Sequence, residues 1–247
     1  MKCVILAGGV GSRLFEETIA KPKALVKIGP YPIILHLILN LSKYNTNTFL
    51  ICCGHKGDQI INFFKRYKIS NDTYLLPKNI KKKIFFLKTG INSGTEGRLY
   101  KTKKFIKKDE DFLICYTDAL SNINFKQMMS QHKKNNKILT MTVTRPKERY
   151  GIAVIKSNNL ISFNEKKNEQ KNYKYWINAG FFVAKHKIFK YLKNKKNYFE
   201  KEPLDKLIKI NQVKVYKHLG EWKSVDTYKD LLTLKKAWRI NSFWKNW

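Results

Sequence analysis

The chain has 247 residues, of which 43% are hydrophobic and 13% aromatic, so it can build a core and is not intrinsically disordered. No apolar run reaches the roughly 18 residues that a membrane-spanning helix needs. The first residues lack the pattern of a secretory signal, and we therefore expect a cytoplasmic protein with no membrane partner.

Positive charge dominates the composition: 50 lysines and arginines against 18 acidic residues give a formal net charge of +32. Such a charge invites the hypothesis of a nucleic-acid partner. The cations are mostly lysines spread along the whole chain, whereas nucleic-acid surfaces concentrate arginine and interleave aromatic side chains. We expect non-specific attraction to anions and no specific nucleic-acid partner.

A strand followed by a glycine-rich loop opens the chain. The apolar run Cys3–Ala7 predicts a buried strand, and residues 8–13 (GGVGSR) contain three glycines that let backbone N–H groups approach an anion. The spacing matches neither the dinucleotide fingerprint nor the P-loop, so the glycines alone fit a tight turn and a phosphate site equally well. Arg13 and, further on, Lys23 favour phosphate.

Strands and helices alternate up to about residue 145. This alternation predicts an α/β fold with a doubly wound, mostly parallel, Rossmann-like sheet, whose ligands bind at the carboxyl ends of the strands. The glycine loop, the loop at 94–98 and Asp118 should then share one rim. The predicted strands are Thr48–Cys53, Lys83–Leu87, Asp111–Tyr116 and Ile138–Thr144, and the predicted helices are Pro32–Leu41, Gly57–Tyr67, Arg98–Ile106 and Phe125–Lys134.

The pattern becomes mixed after residue 145. We predict one domain over 1–247, with a nucleotide-binding half at 1–145 and a second half at 146–247 that carries the sugar-phosphate site and the C-terminal helices. Paired strands are expected at 150–155 and 160–163, further strands at 176–184 and 213–216, and helices near 188–192, 202–210 and 228–238. The four cysteines lie in apolar runs without zinc spacing, which predicts buried free thiols.

Several polar residues stand where a core does not need them, and each has a structural alternative. Asp118 ends a strand and could hold a metal or cap an Asx-turn, and Asp226 could join it or simply cap the following helix. Glu165 and Lys166 could form an exposed pair. Asn178 interrupts an apolar run and needs a hydrogen-bond partner, which a ligand hydroxyl could supply. The histidines share no spacing and are expected to be structural.

Taken together, these residues resemble the sugar-1-phosphate nucleotidylyltransferases. Residues 8–14 (GGVGSRL) look like that family's G-G-x-G-[ST]-R-L signature, and Lys21-Pro22-Lys23 looks like its P-K element. Within the family the chain is most similar to the glucose-1-phosphate cytidylyltransferases. That similarity extends over almost the entire chain and includes residues 52–57 (CCGHKG), 94–99 (GTEGRL), 202–204 (EPL) and the tryptophan-rich end.

The resemblance implies a role for each matching residue. Arg13 and Lys23 would be catalytic, stabilising charge on the transferred phosphate. Asp118 and Asp226 would hold Mg²⁺ as the cofactor. Sugar 1-phosphate would be bound by Glu165, Lys166, Asn178 and Gly180. The nucleotide would be bound by Leu6, Ala7, Gly8, Gly9, Gly11, Ser12, Arg13, Lys23, Thr95, Gly97 and Arg98.

The implied reaction joins CTP, or another nucleoside triphosphate, to a sugar 1-phosphate such as glucose 1-phosphate. The alternatives are the same chemistry with a different base or sugar, and a catalytically inactive sensor or nucleic-acid-binding protein. The resemblance also implies a homo-oligomer. The aromatic end Phe243–Trp247 could pack on its own core or on a neighbouring subunit, and the resemblance favours a neighbour.

Five positions depart from the family pattern: Ser12 for Thr, Glu96 and Thr117 for Gly, Lys167 for Pro and Ala179 for Gly. Four of the five flank the base or the sugar, and Glu96 is expected to add a negative charge to the nucleotide loop. The phosphate and metal residues are intact. The sequence therefore predicts retained transfer chemistry and leaves a changed sugar preference open as an alternative.

Overall fold

The structure is a computed structural model that describes residues 1–145, 152–156, 159–164 and 175–247. Its helices are α1 (Phe15–Thr18), α2 (Ile33–Ser42), α3 (Gly57–Lys65), α4 (Thr95–Tyr100), α5 (Phe125–Asn135), α6 (Glu202–Lys209) and α7 (Tyr228–Ile240). Its strands are β1 (Lys2–Ala7), β2 (Lys27–Ile28), β3 (Tyr31–Pro32), β4 (Thr48–Cys53), β5 (Lys68–Ser70), β6 (Thr73–Leu76), β7 (Ile80–Lys88), β8 (Asp111–Tyr116), β9 (Ala119–Ser121), β10 (Leu139–Thr144), β11 (Ile152–Lys156), β12 (Asn159–Asn164), β13 (Ile177–Lys185), β14 (Val213–His218) and β15 (Trp222–Ser224).

Nine strands form the central sheet, in the order β14-β10-β13-β8-β1-β4-β7-β6-β5. The middle strands β8, β1, β4 and β7 are parallel, as are β10 and β14, while β13 runs antiparallel between β8 and β10. The predicted α/β class with a Rossmann-like sheet is confirmed. Strands from before and after residue 145 share this sheet, and the prediction of one domain with two halves stays a prediction.

Burial on both faces explains why the central strands read as continuous apolar runs. Alternate residues of β1 enter different layers: Cys3 and Ile5 join the core layer that contains α2, whereas Val4 and Leu6 join the layer that contains α4 and α6. All four cysteines are buried free thiols, as predicted. The central strands are thereby fixed, and their carboxyl ends can position polar side chains accurately.

Three local predictions differ from the structure. The helix expected over 98–106 is instead α4, which starts earlier and ends where Thr102 Oγ1 donates a 2.7 Å hydrogen bond to the Leu99 carbonyl, followed by a 3₁₀ turn at Lys103–Phe105. The helix near 188–192 is a 3₁₀ turn at His186–Lys190. The β5–β6 hairpin was not predicted because β5 is short and exposed throughout.

The C-terminal aromatic segment packs on its own chain, the alternative that the resemblance did not favour. Trp244 is fully buried, its indole Nε1 donates to His36 Nδ1 at 3.2 Å, and its backbone carbonyl accepts from Asn40. Trp238 and Trp247 also lie against the His36 ring. Homo-oligomerisation stays a prediction. Among the described residues no helix is both long and apolar enough to span a membrane.

Candidate active site

A cavity of about 540 Å³ opens at the carboxyl ends of β1 and β8, the rim that the sequence indicated. Its wall consists of residues 6–13, 22–24, 91–95 and 116–118, together with Arg98, Lys196, Tyr198 and Glu200. The predicted nucleotide residues are therefore brought together around one space, apart from Gly97, which does not line it. This volume suits a nucleotide-sized ligand.

The glycine loop, residues 8–13, forms one side of the cavity. Gly11 has a φ of +75°, in the left-handed region that favours glycine, and starts a 3₁₀ turn that presents Ser12 and Arg13. Thr18 Oγ1 donates to the carbonyls of Gly11 and Leu14, at 3.1 and 2.9 Å. These two hydrogen bonds hold the turn, while residues 8–13 line the cavity.

Arg98 explains why position 8 is glycine. Its buried guanidinium donates to the Gly8 carbonyl at 3.0 Å, to Thr89 Oγ1 at 2.6 Å, and to the carbonyls of Gly90 and Ile91 at 3.1 and 3.3 Å. A Cβ on Gly8 would lie 2.1 Å from the guanidinium. Arg98 lines the cavity, but these four bonds occupy its terminal nitrogens with protein groups, so it supports the glycine loop directly.

Two carboxylates meet beside the loop because of a short strand pair. β9 and β15 pair antiparallel, with Ala119 opposite Ser224, and Val225 N donates to the Asp118 carbonyl at 2.7 Å. This pairing sets Asp118 and Asp226 side by side. The helix-cap alternative for Asp226 is wrong, because Thr227 caps α7 through a reciprocal capping box with its N3 residue.

Both carboxylates face Lys23. Its Nζ lies 3.1 Å from Asp226 Oδ1 and 3.8 Å from Asp118 Oδ2, and Arg13 lies 3.5 Å from Asp226 Oδ2. Burial raises the pKa of Asp118 and neighbouring Asp226 adds to the rise, while Lys23 and Arg13 oppose it. The two predicted catalytic cations and the two predicted metal ligands therefore form one cluster at the cavity edge.

This cluster fits a divalent cation such as Mg²⁺. Two carboxylates that converge on one positive group already hold their oxygens where a cation is favourable, and oxygen is the ligand that Mg²⁺ prefers. Within the described residues no group of three or more potential metal ligands occurs, so an ion held here would need water or phosphate oxygens to complete its coordination.

The start of α4 places the family departure Glu96 away from the nucleotide space. Thr95 lines the cavity, whereas Glu96 is buried beneath it, where Oε1 accepts from Lys193 N at 2.6 Å. Gly97 faces the same segment, and a Cβ there would lie 2.6 Å from the Lys195 carbonyl. The expectation that Glu96 adds charge beside the base is therefore wrong, because helical geometry turns it inward.

The cavity residues that the sequence analysis missed include Lys196, Tyr198 and Glu200, which come from far along the chain. Glu200 accepts hydrogen bonds from Tyr116 Oη and, at 3.0 Å, from Thr95 Oγ1, so it joins two walls of the cavity. Burial, followed by Glu200, raises the pKa of Tyr116 well above its usual range, which keeps the phenol protonated as a donor. The sequence held no signal for these residues, because the surrounding lysines read as a solvated stretch.

The predicted sugar-phosphate residues are only partly described. Asn178 Oδ1 accepts from Gly180 N at 2.8 Å, and Gly180, with a φ of +79°, lies against the Tyr116 ring. Neither residue is part of the lining of this cavity, and their role in binding the sugar phosphate stays a prediction. Glu165, Lys166 and the departure Lys167 lie outside the described residues, so their roles stay predictions.

Comparison with known proteins agrees with this geometry. Residues 2–240 match the nucleotidyl transferase family. The chain belongs to this family. It is 35% identical over 259 residues, covering 100% of both chains, to the glucose-1-phosphate cytidylyltransferase of Salmonella typhimurium. It is 29% identical over 239 residues to the mannose-1-phosphate guanyltransferase of Saccharomyces cerevisiae, covering 94% of this chain and 63% of that protein.

Solved structures share the fold at lower sequence identity. HddC from Yersinia pseudotuberculosis superposes with a TM-score of 0.71 at 22% identity, covering 96% of this chain and 99% of that one. UDP-glucose pyrophosphorylase, solved with UDP-glucose, gives a TM-score of 0.71 at 17% identity, covering 96% and 98% of the two chains.

Proposed function

We propose that the protein transfers the cytidylyl group of CTP to glucose 1-phosphate, forming CDP-glucose and pyrophosphate. The observation that carries the proposal is the convergence of Arg13, Lys23, Asp118 and Asp226 beside a glycine-lined cavity. The full-length similarity to a glucose-1-phosphate cytidylyltransferase supports the choice of base and sugar.

In the proposed reaction, a phosphate oxygen of the sugar attacks the α-phosphorus of CTP. The bond from that phosphorus to the bridging oxygen breaks, and pyrophosphate leaves with the bond's electrons. The attacking phosphate is already ionised, so positioning and charge neutralisation suffice and no general base is needed. Backbone N–H groups of the glycine loop bind the triphosphate, while Arg13 and Lys23 stabilise charge as it develops.

Asp118 and Asp226 would hold Mg²⁺, which would supply positive charge to stabilise the phosphates. Both carboxylates are already close to Lys23, at 3.8 and 3.1 Å, so the chain positions them before any ligand arrives. Glu165, Lys166 and Asn178 would bind the sugar phosphate from the second half of the chain.

A related candidate keeps this chemistry with a different sugar. Thr117 replaces a family glycine and lines the cavity directly before Asp118, so an added side chain occupies space near the bound substrates. Ala179 is fully buried, and its carbonyl accepts from Trp222 Nε1 at 2.8 Å. Ala179 can therefore affect bound substrates only by shifting residues that line the cavity.

The test is pyrophosphate release from CTP, UTP, dTTP and GTP, each paired with a panel of sugar 1-phosphates. We expect fastest release with CTP and glucose 1-phosphate. Fast release with CTP and another sugar would select the related candidate, and no release with CTP would overturn the proposal.

A further inference from the structure

We propose that Lys56 is a positioning residue for the glycine loop, acting on bound triphosphate through α1 without touching it. The inference rests on the proposed function and adds a residue outside the cavity wall to it. Lys56 belongs to the CCGHKG segment at 52–57, which the cavity lining and the carboxylate cluster leave without a role.

The side chain of Lys56 reaches the C-terminal end of α1. Its Nζ donates to the Thr18 carbonyl at 2.7 Å and to the Ile19 carbonyl, and Gln59 Nε2 donates to the Ala20 carbonyl at 3.0 Å. The last carbonyls of a helix have no partner within it, and a cation there also complements the helix dipole. Three successive carbonyls are thus held by side chains from the start of α3.

Thr18 passes this restraint to the glycine loop. Its hydroxyl donates to the Gly11 carbonyl at 3.1 Å, and its methyl group would lie 3.1 Å from a Cβ on Gly11. Thr18 therefore fixes the left-handed residue that begins the turn carrying Ser12 and Arg13. Lys56 thus binds the backbone carbonyl of Thr18, and the side chain of Thr18 binds the carbonyl of Gly11.

The segment under restraint lies between two parts of the site. Residues 6–13 and 22–24 line the cavity, and residues 14–21 connect them without lining it. If α1 shifted, both Arg13 before it and Lys23 after it would move relative to the carboxylates. Fixing α1 therefore keeps the two proposed catalytic cations in place relative to the carboxylates.

Lys56 also adopts a backbone conformation that a lysine seldom takes. Its φ of +52° is left-handed, and it directly precedes Gly57, whose Cβ would lie 2.7 Å from the Cys53 side chain. Asparagine adopts this conformation more readily than lysine does, and so does glycine. Lys78, with a φ of +65°, shares this conformation, so the case for Lys56 rests on the hydrogen bonds that its side chain makes to the carbonyls of Thr18 and Ile19.

The experiment compares Lys56→Met and Lys56→Arg with Lys65→Met, a control that removes an exposed lysine from α3 itself. Steady-state kinetics with CTP and glucose 1-phosphate are measured for each variant. We expect Lys56→Met to raise KM for CTP about tenfold, equivalent to about 1.4 kcal/mol, and KM for glucose 1-phosphate less than about twofold. Lys56→Arg should recover most of the loss, because arginine keeps the charge and the reach.

Equal KM values for CTP in Lys56→Met and Lys65→Met would overturn the proposal. So would a rise in KM for glucose 1-phosphate in Lys56→Met that equals the rise in KM for CTP. Lys56→Asn guards against a folding defect, because asparagine suits the left-handed backbone, and it should show the same rise in KM for CTP at an unchanged thermal midpoint. Hydrogen exchange of residues 8–13, faster in Lys56→Met than in Lys65→Met, tests the restraint even if the wild-type chain used no nucleotide. Inactivity of the wild type with every triphosphate would count against the proposed function, and unchanged exchange against the role of Lys56.

Discussion

Lys23 and Asp226 form an ion pair of 3.1 Å between Nζ and Oδ1, although 203 positions separate them in the chain. The pair joins the segment between α1 and β2 to the loop between β15 and α7, and Asp118 adds its own carboxylate at 3.8 Å from the same nitrogen. One ammonium group therefore balances two carboxylates at the edge of the cavity. We regard this cluster as the centre of the proposed chemistry.

Removing the charge of Lys23 should abolish most turnover. We expect Lys23→Met to lower kcat by about 100-fold or more, because no other cation lies as close to both carboxylates among the described residues. The measurement is the steady-state rate of pyrophosphate release with saturating CTP. Lys27→Met, four positions on and exposed, is the matched control and should retain wild-type turnover. Comparable rates for the two variants would remove Lys23 from the mechanism.

Asp118 should matter for turnover far more than for folding. Its pKa is raised mainly by burial, so the ionised form carries a desolvation penalty that Asp118→Asn removes. We expect that variant to keep its thermal midpoint within a few degrees while turnover falls about 100-fold and more Mg²⁺ is needed for half-maximal activity. Asp109→Asn changes an exposed acid and serves as the control. Unchanged activity in Asp118→Asn would show that the metal assignment is incorrect.

Adjacent glycines should differ sharply in their tolerance of a methyl group. A Cβ on Gly8 would meet the Arg98 guanidinium at 2.1 Å, whereas a Cβ on Gly9 has no atom within 4 Å. We expect Gly8→Ala to lower the free energy of unfolding by about 2 kcal/mol and Gly9→Ala by less than about 0.5 kcal/mol. Denaturant titration measures both values.

A double-mutant cycle with Arg98→Ala identifies the cause. Once the guanidinium is gone, Gly8→Ala should add little further destabilisation, because the two residues are in contact and their effects are coupled. Strictly additive effects would mean that Gly8 is required for another reason, such as its backbone geometry.

His36 should make the fold sensitive to acid. Burial lowers its pKa from 6.5 to about 4, while Nε2 donates to the Ile28 carbonyl and Nδ1 accepts from Trp244. His36 therefore binds its second imidazole proton more tightly in the unfolded chain than in the folded chain. The stability that neutral His36 provides is complete above about pH 6.5 and is lost as the pH falls towards 4, by up to about 1.4 kcal/mol per pH unit.

Denaturant titrations between pH 7 and pH 4.5 measure this loss. His36→Gln should flatten the pH dependence relative to wild type, while His55→Gln, at a half-buried position outside the aromatic cluster, should leave it unchanged. Identical slopes for wild type and His36→Gln would show that His36 is not the group responsible.

The parts of the site that follow one strand were predictable from the sequence, because strand length and glycine spacing are local properties. The run from Cys3 into the glycine loop, and the position of Asp118 after an apolar strand, both needed only a few neighbouring residues. The structure places these two segments on one rim, as the alternation of strands and helices predicted.

Long-range contacts decided the remaining features. Gly8 is constrained by Arg98, 90 positions away, and Asp226 meets Asp118 only because β9 pairs with β15. Glu96 was expected beside the base because it stands in the nucleotide loop, yet the start of α4 at Thr95 turns it inward. Local patterns carry no information on such pairings, so they could not be predicted from one sequence.

The most direct test of the central claim follows the phosphorus atoms by ³¹P NMR while the protein acts on CTP and glucose 1-phosphate in the presence of Mg²⁺. The account predicts that CDP-glucose and pyrophosphate appear in equal amounts, with the α-phosphorus of CTP bonded to an oxygen of the sugar phosphate. Release of CMP without a sugar nucleotide, or unchanged CTP, would contradict it.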